Sequence, residues 1–426
     1  YGRNFMIKTI AEGVTLNFIQ SKKFKDICIS INFINKNEEK KTTERSLLSM
    51  MLVDRCNRYD TKKKMNEVAD HLYGCSLGSR AVTYGKAHCI EIRSKIINPL
   101  YIHENHNILN DWLNFLNEVL FHPLMDHEKF DEDLFQENKS ILLSKIKRKE
   151  DDAQSYTVMK AFEIAGKDQP LSVRVRGSKE SLEKLKKEDV TSCYHSMLKE
   201  DQIEIIVCGD IDENALFKLV AQKLNFVDRK VNYETFYLLK PQEFGFSREE
   251  RNQPQTNIAM VYATQTTVKD PDYPALKVAN GILGQLPSSY LFQVVREQNS
   301  LCYSISSNLI SYDGACLIST GIEEENIDKT LNLIQKQMER CKQGDISDDL
   351  LETTKKMLIG ALMNSLDEMS SIIGYQLGNS ILKRNYPIEE NIRSVSAVTK
   401  EDVVKVFQKM THVATFICAS KEKAYE

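Results

Sequence analysis

The chain has no C-x-x-C pair among its ten cysteines, no long apolar run and almost no net charge. Each absence removes a class of function. Unpaired cysteine spacing offers no framework for a dithiol redox motif or a cysteine-held metal. Several of the thiols sit in strand-like apolar runs, Cys28 in ICISINF, Cys208 in IEIIVCG and Cys418 in ATFICAS. They read as buried free thiols of a reducing compartment, so a cytoplasmic location is expected. No stretch approaches the ~18–20 apolar residues that a membrane span needs. The opening residues Tyr1-Gly2-Arg3-Asn4-Phe5 do not begin an apolar h-region, so no secretory leader is expected. With 57 basic and 60 acidic residues the formal net charge is −3, which gives no electrostatic footprint for nucleic acid. The runs Lys40-Lys41 and Lys62-Lys63-Lys64 read as solvated helix faces.

What the chain does have is a repeat. Its 426 residues exceed one hydrophobic core and predict two domains of about 200 residues each. Ser181-Leu-Glu-Lys-Leu-Lys-Lys-Glu-Asp-Val190 returns 213 residues later as Ser394-Val-Ser-Ala-Val-Thr-Lys-Glu-Asp-Val403. Asp133-Leu-Phe-Gln-Glu-Asn-Lys-Ser-Ile-Leu-Leu-Ser144 returns 216 residues later as Asp349-Leu-Leu-Glu-Thr-Thr-Lys-Lys-Met-Leu-Ile-Gly360. Two matches in the same order at nearly the same spacing point to a duplicated unit. The spacing of Ile27, Ile29, Ile31 and Phe33 predicts a half-buried strand. That of Ile108, Leu109, Trp112, Leu113, Leu116 and Leu120 predicts an amphipathic helix. Residues 78–84 and 87–93 read as a hairpin. The expected fold is therefore α+β: two homologous halves, 1–226 and 253–426, joined by a linker at 227–252. Each half should be an antiparallel sheet with helices on one face, the two together forming a clamshell.

With that organisation in view, Ser288-Ser-Tyr-Leu-Phe-Gln-Val-Val-Arg-Glu-Gln-Asn-Ser-Leu-Cys-Tyr-Ser304 closely resembles the second-half signature of the pitrilysin-like zinc peptidases. That group contains mitochondrial processing peptidase and insulin-degrading enzyme. Asp272-Tyr-Pro-Ala-Leu276, Ile282-Leu-Gly284, Gly177-Ser-Lys-Glu-Ser-Leu182 and Asp70-His-Leu-Tyr-Gly-Cys-Ser-Leu77 fit the same pattern. Active members carry H-x-x-E-H on a helix, which sets two histidines on one face for Zn²⁺ with a glutamate beside them as general base. A glutamate from a later helix completes the ligands. The corresponding segment here reads Glu44-Arg-Ser-Leu-Leu-Ser-Met-Met-Leu52. Ser46 and Met50 stand where the histidines belong and Ser49 where the base belongs. Lys145 stands at the third ligand, or Ser144 if the register slips by one. None of these is a zinc ligand of useful strength. The first histidine of the chain is His71, so no register restores the motif. The cluster His103-Glu104-Asn105-His106 reads as loop, and His122 and His127 flank Pro123 in a turn.

The resemblance also implies a substrate-contacting pair, an arginine and a tyrosine, matched by Arg296 and Tyr303. A guanidinium offers a fixed fork of donors to a peptide carbonyl, and a phenol can donate to the oxyanion of the reaction. From spacing alone, Arg296 capping its helix and Tyr303 packed in a sheet is the competing reading. Retained gripping residues without metal ligands imply a non-catalytic, zinc-less subunit that holds peptide for a zinc-bearing homologous partner. This chain would then carry no cofactor itself. A non-enzymatic binding or scaffold protein of the same fold is the alternative, and an active stand-alone peptidase is disfavoured.

Overall fold

The structure, a computed structural model, describes residues 5–102, 107–231 and 234–421. The cluster His103-Glu104-Asn105-His106 lies outside the described residues. Thirteen strands are found among them: β1 (Phe5–Ala11), β2 (Val14–Gln20), β3 (Asp26–Lys36), β4 (Ser76–Tyr84), β5 (Ala87–Ile97), β6 (Met125–Asp126), β7 (Lys129–Phe130), β8 (Gln202–Gly209), β9 (Gly245–Arg251), β10 (Thr256–Ala263), β11 (Cys302–Ile310), β12 (Ala315–Ile322) and β13 (Thr411–Ser420).

The duplication is written in the sheets. One has the order β4-β5-β3-β8-β2-β1 and the other β11-β12-β10-β13-β9. The second repeats the first strand for strand and lacks only the outermost member. Ladders are antiparallel as expected, except that each sheet holds one parallel pair, β2 with β8 and β9 with β13. The last strand of the first half has returned beside its second strand, and the last strand of the second half beside its first. The repeated Lys-Glu-Asp-Val has one local job in both copies. The Asp189 carboxylate accepts from the Lys186 backbone N–H at 2.9 Å, and that of Asp402 from Thr399 at 3.1 Å. Each opens a helix, Lys187–Glu200 and Lys400–Lys409, whose first valine is fully buried.

Contacts group the chain into two compact units. One comprises Tyr1–Ile146, Arg174–Glu234 and Glu368–Arg384, the other Lys147–Val173, Thr235–Asp367 and Asn385–Glu426. The expected boundaries 1–226, 227–252 and 253–426 were drawn from the repeat in the sequence, and β9 falls inside the expected linker. The units add an exchange that no repeat pattern carries, because each includes one helix from the other half. Met369–Ile381 belongs to the first unit and Ala153–Ala165 to the second.

In the first unit Ile27, Ile29, Ile31 and Phe33 face a core shared with Trp112, Leu113 and Leu116 of the helix Ile108–Phe121. Trp112 is fully buried, and its indole N–H donates to Ser94 Oγ at 2.8 Å. β3 is not half-buried, however. Ser30 and Asn32, on its other face, are as buried as the isoleucines. Their side chains reach Glu91 and the Glu204 carbonyl. The exchanged helix contacts neighbouring β8, and Gln376 donates to Asn17 Oδ1 while Ser380 donates to the Glu204 carboxylate. The period of two was right; the polar face is buried against Glu91 and against β8, on which the exchanged helix packs. In the second unit both faces of the sheet are apolar. Ile258, Met260 and Tyr262 of β10 face one cluster, and Ala259, Val261 and Ala263 face another closed by Ala161 and Ala165.

Candidate functional site

The helix Glu39–Asp54 is buried nearly all round, although its sequence is rich in hydroxyls and charge. A polar group in that position needs a partner inside the protein. Thr43 shares a hydrogen bond with Ser181 at 2.8 Å. Ser46 Oγ donates to the Val175 carbonyl at 2.7 Å, and Ser49 Oγ donates to the Ser46 carbonyl at 2.8 Å. Both hydroxyls are therefore engaged with main-chain oxygen. Met50 is half-buried, and its sulfur lies 3.9 Å from Nζ of Lys145 on the helix Glu132–Asp151. The structure thus brings Met50 and Lys145 together. The neighbouring Ser144 is exposed and bonds to its own helix at the Ser140 carbonyl, so Lys145 is the residue facing Met50. An ammonium beside a thioether repels a divalent cation and supplies no ligand for it. Among the described residues no group of three or more His, Cys, Asp or Glu side chains is arranged to hold a metal ion. His122 and His127 lie apart from any such group, each within 3.7 Å of one carboxylate, Glu118 and Asp126 respectively.

Sequence reasoning missed what lies one residue away. Arg45 is 3% exposed, and its guanidinium meets the fully buried Asp201 at 2.8 Å. It also donates to the Phe33 carbonyl, the His88 carbonyl and His88 Nδ1. Burial works against the Arg45 charge and the Asp201 carboxylate more than offsets it, so the guanidinium keeps its proton. The available signal was a lone arginine on a helix that leaves no solvent face.

His88 accepts from Arg45 at Nδ1, so its other nitrogen carries the hydrogen that Val175 accepts at 3.1 Å. Burial, and then the Arg45 charge, push this imidazole down to about 3 from 6.5. A neutral histidine in the folded state binds fewer protons than the unfolded chain between those values. Stability is therefore full above pH 6.5 and is lost as pH falls toward 3. From pH 7.5 to 4.5 this one group should remove about 2–3 kcal/mol. His88→Gln should flatten the profile by that amount, read from urea midpoints by the fluorescence of the single tryptophan, Trp112. A variant whose acid sensitivity matches the parent's would show that the protons bind elsewhere.

Arg296 lies in a π-helical turn, Phe292–Gln298, a geometry common at functional sites. The chain then reverses through Ser300 at φ +52°, whose N–H donates to the Arg296 carbonyl at 2.9 Å. Tyr303 follows at the start of β11, where pairing with β12 slips register between Cys302 and Ile305. The guanidinium carbon sits 4.4 Å from the Phe292 ring centre and 5.7 Å from that of Tyr303. The two residues are thus brought together across seven positions of sequence. Tyr303 is 83% exposed, so its ring is not packed in the sheet.

The family model described as the peptidase M16 inactive domain matches residues 184–358, a span that includes this turn. The probable inactive metalloprotease YmfF of Bacillus subtilis (strain 168) is 26% identical over 425 residues, 98% of each chain. The chain is similar to the M16 inactive-domain family over those residues and to this relative over nearly its whole length. A solved structure of a conserved protein from Enterococcus faecalis V583 aligns with this chain at a TM-score of 0.93. It is 27% identical, and 99% of each chain is covered. The mitochondrial-processing peptidase subunit beta of Saccharomyces cerevisiae is 26% identical over 263 residues, 57% of this chain and 56% of its own. The resemblance carried by 288–304 therefore holds: the chain is a homologue of M16 metallopeptidases, similar to proteins described as inactive. No helix among its described residues is long and apolar enough to cross a membrane.

Proposed function

We propose that this chain is the non-catalytic subunit of a heterodimeric metallopeptidase whose zinc sits in a homologous partner. It contributes a chamber wall and grips the peptide through Arg296 and Tyr303. One observation carries the reading: an exposed phenol and a guanidinium stand 5.7 Å apart, while the metal-site positions hold Ser46, Ser49, Met50 and Lys145. The gripping side chains are present in one place, and metal ligands are missing in the other. Tyr303 is the second residue of β11, the outermost strand of its sheet among the described residues, whose outer edge can pair with an extended peptide. Ten free thiols, nine of them buried, support a reducing compartment such as the cytoplasm.

The test mixes this chain with a zinc-bearing homologue and follows cleavage of a quenched fluorescent peptide. Activity is expected from the mixture and from neither chain alone. Tyr303→Phe should lower kcat by about 10²–10³, the usual loss for one oxyanion donor. Arg296→Ala should chiefly raise KM. Unchanged turnover in both variants removes the gripping role. Peptide binding with no cleavage by any homologous mixture favours a binding or scaffold protein of the same fold.

A further inference from the structure

The two sheets differ at one edge. In the first, β2 is covered by β1 and by the helix Glu213–Lys223, which contacts both strands. Lys8 of β1 ties that cap together by donating to Asn214 at 2.7 Å. Under it Val14, Leu16 and Phe18 are at most 1% exposed. β9 holds the place of β2 in the second sheet, parallel to the last strand of its half. Among the described residues no strand pairs with its outer edge. Phe246 is 57% exposed, and Phe244 beside it is 54% exposed, resting on the ring of His412.

The residues just before β9, where a capping strand would be expected, are held elsewhere. Leu239 N–H donates to the Asp313 carbonyl at 2.9 Å, and Tyr237 donates to the Asp313 carboxylate at 2.6 Å. Phe236 stacks on Tyr312. This segment straps the β11–β12 turn and leaves β9 bare. An open strand edge flanked by exposed aromatics is a ready template for another strand.

We infer that the outer edge of β9 is a docking site for one extended antiparallel strand of a partner polypeptide, the counterpart of the cap that β1 provides to β2. Side chains on one face of β9 set its chemistry, reading Phe246, Arg248, Glu250 at two-residue spacing, with Arg248 also paired to Glu324 on its own chain. Directly opposed residues in an antiparallel pair share a face. The incoming strand, running the other way, then carries a basic residue opposite Glu250. Two positions on it carries an acid opposite Arg248, and two further on an apolar residue opposite Phe246. Main-chain hydrogen bonds supply affinity and these three positions supply selection. The surface is distinct from Arg296 and Tyr303 and does not depend on the proposed function.

The experiment uses the full chain and a labelled ten-residue peptide bearing lysine, glutamate and valine at two-residue spacing, read by fluorescence anisotropy. Exchanging the lysine and glutamate in the peptide should weaken binding about ten-fold. The double variant Arg248→Glu, Glu250→Arg should reverse that preference. N-methylation of alternate peptide amides on the pairing side should weaken binding at least as much. The double variant Arg296→Ala, Tyr303→Phe should bind like the parent, which separates this edge from the gripping pair. A preference unmoved by the charge swap, indifference to N-methylation, or no binding at about millimolar peptide overturns the assignment. A dimer of the chain itself that Phe246→Ser abolishes gives the edge to a second copy, and overturns it as well.

Discussion

Replacing Asp201 with alanine is expected to destabilise the first unit by about 3–5 kcal/mol, the cost of leaving a buried charge without its partner. Arg45 would keep only neutral acceptors, the Phe33 and His88 carbonyls and the His88 ring. Asn35, which donates to the lost carboxylate at 2.6 Å, would be stranded too. Net stabilities are of order 5–15 kcal/mol, so the variant should populate an unfolded first unit under mild urea. The second unit should be unaffected, and Trp112 fluorescence reports on the first alone. Removing both charges with Arg45→Met and Asp201→Leu should recover most of the loss, because apolar pairs often replace buried ion pairs without penalty. If the double variant is as unstable as the single one, the pair matters for its carbonyl contacts and not for its charge.

The second large effect is expected at Gly177, which precedes the helix Lys179–Lys184 with φ at +71°. That left-handed conformation costs a side chain about 1–2 kcal/mol. A Cβ there would also stand 1.7 Å from Thr43 Oγ1, so the helix Glu39–Asp54 would have to move. Gly177→Ala should therefore lose about 3–4 kcal/mol, conformational strain and overpacking together. Adding Thr43→Ala removes the obstructing hydroxyl but keeps the Cβ at 2.8 Å, and should recover part of the loss. Equal urea midpoints for the single and double variants would rule out the clash as the cause.

Both effects sit around the helix that carries Ser46, Ser49 and Met50, and they explain how it is held. In a metal-binding relative of this kind the ligands themselves would help fasten such a helix. Here Arg45, Thr43 and Ser46 fasten it to Asp201, Ser181 and Val175. The seventh-position spacing from Arg296 to Tyr303 was readable, because a helix end and a strand start are local patterns. That the two side chains meet, with the phenol in solvent, was not, because it depends on a π-helical turn, a left-handed Ser300 and a register slip. The network of Arg45, His88 and Asp201 was invisible for a related reason. Its members lie 43 and 156 residues from Arg45, and no periodicity links them.

Order along the chain was enough for the duplication, the α+β class, the family and the absence of H-x-x-E-H, since each is a matter of which residue types follow one another. Packing added the exchange of Ala153–Ala165 and Met369–Ile381, the burial of β3 on both faces, the partners of Arg45 and the uncovered edge of β9. Each of these is set by neighbours tens to hundreds of residues distant or, at β9, by a neighbour that is drawn away. Hydrophobic periodicity says which side of an element seeks cover; it does not say what will cover it.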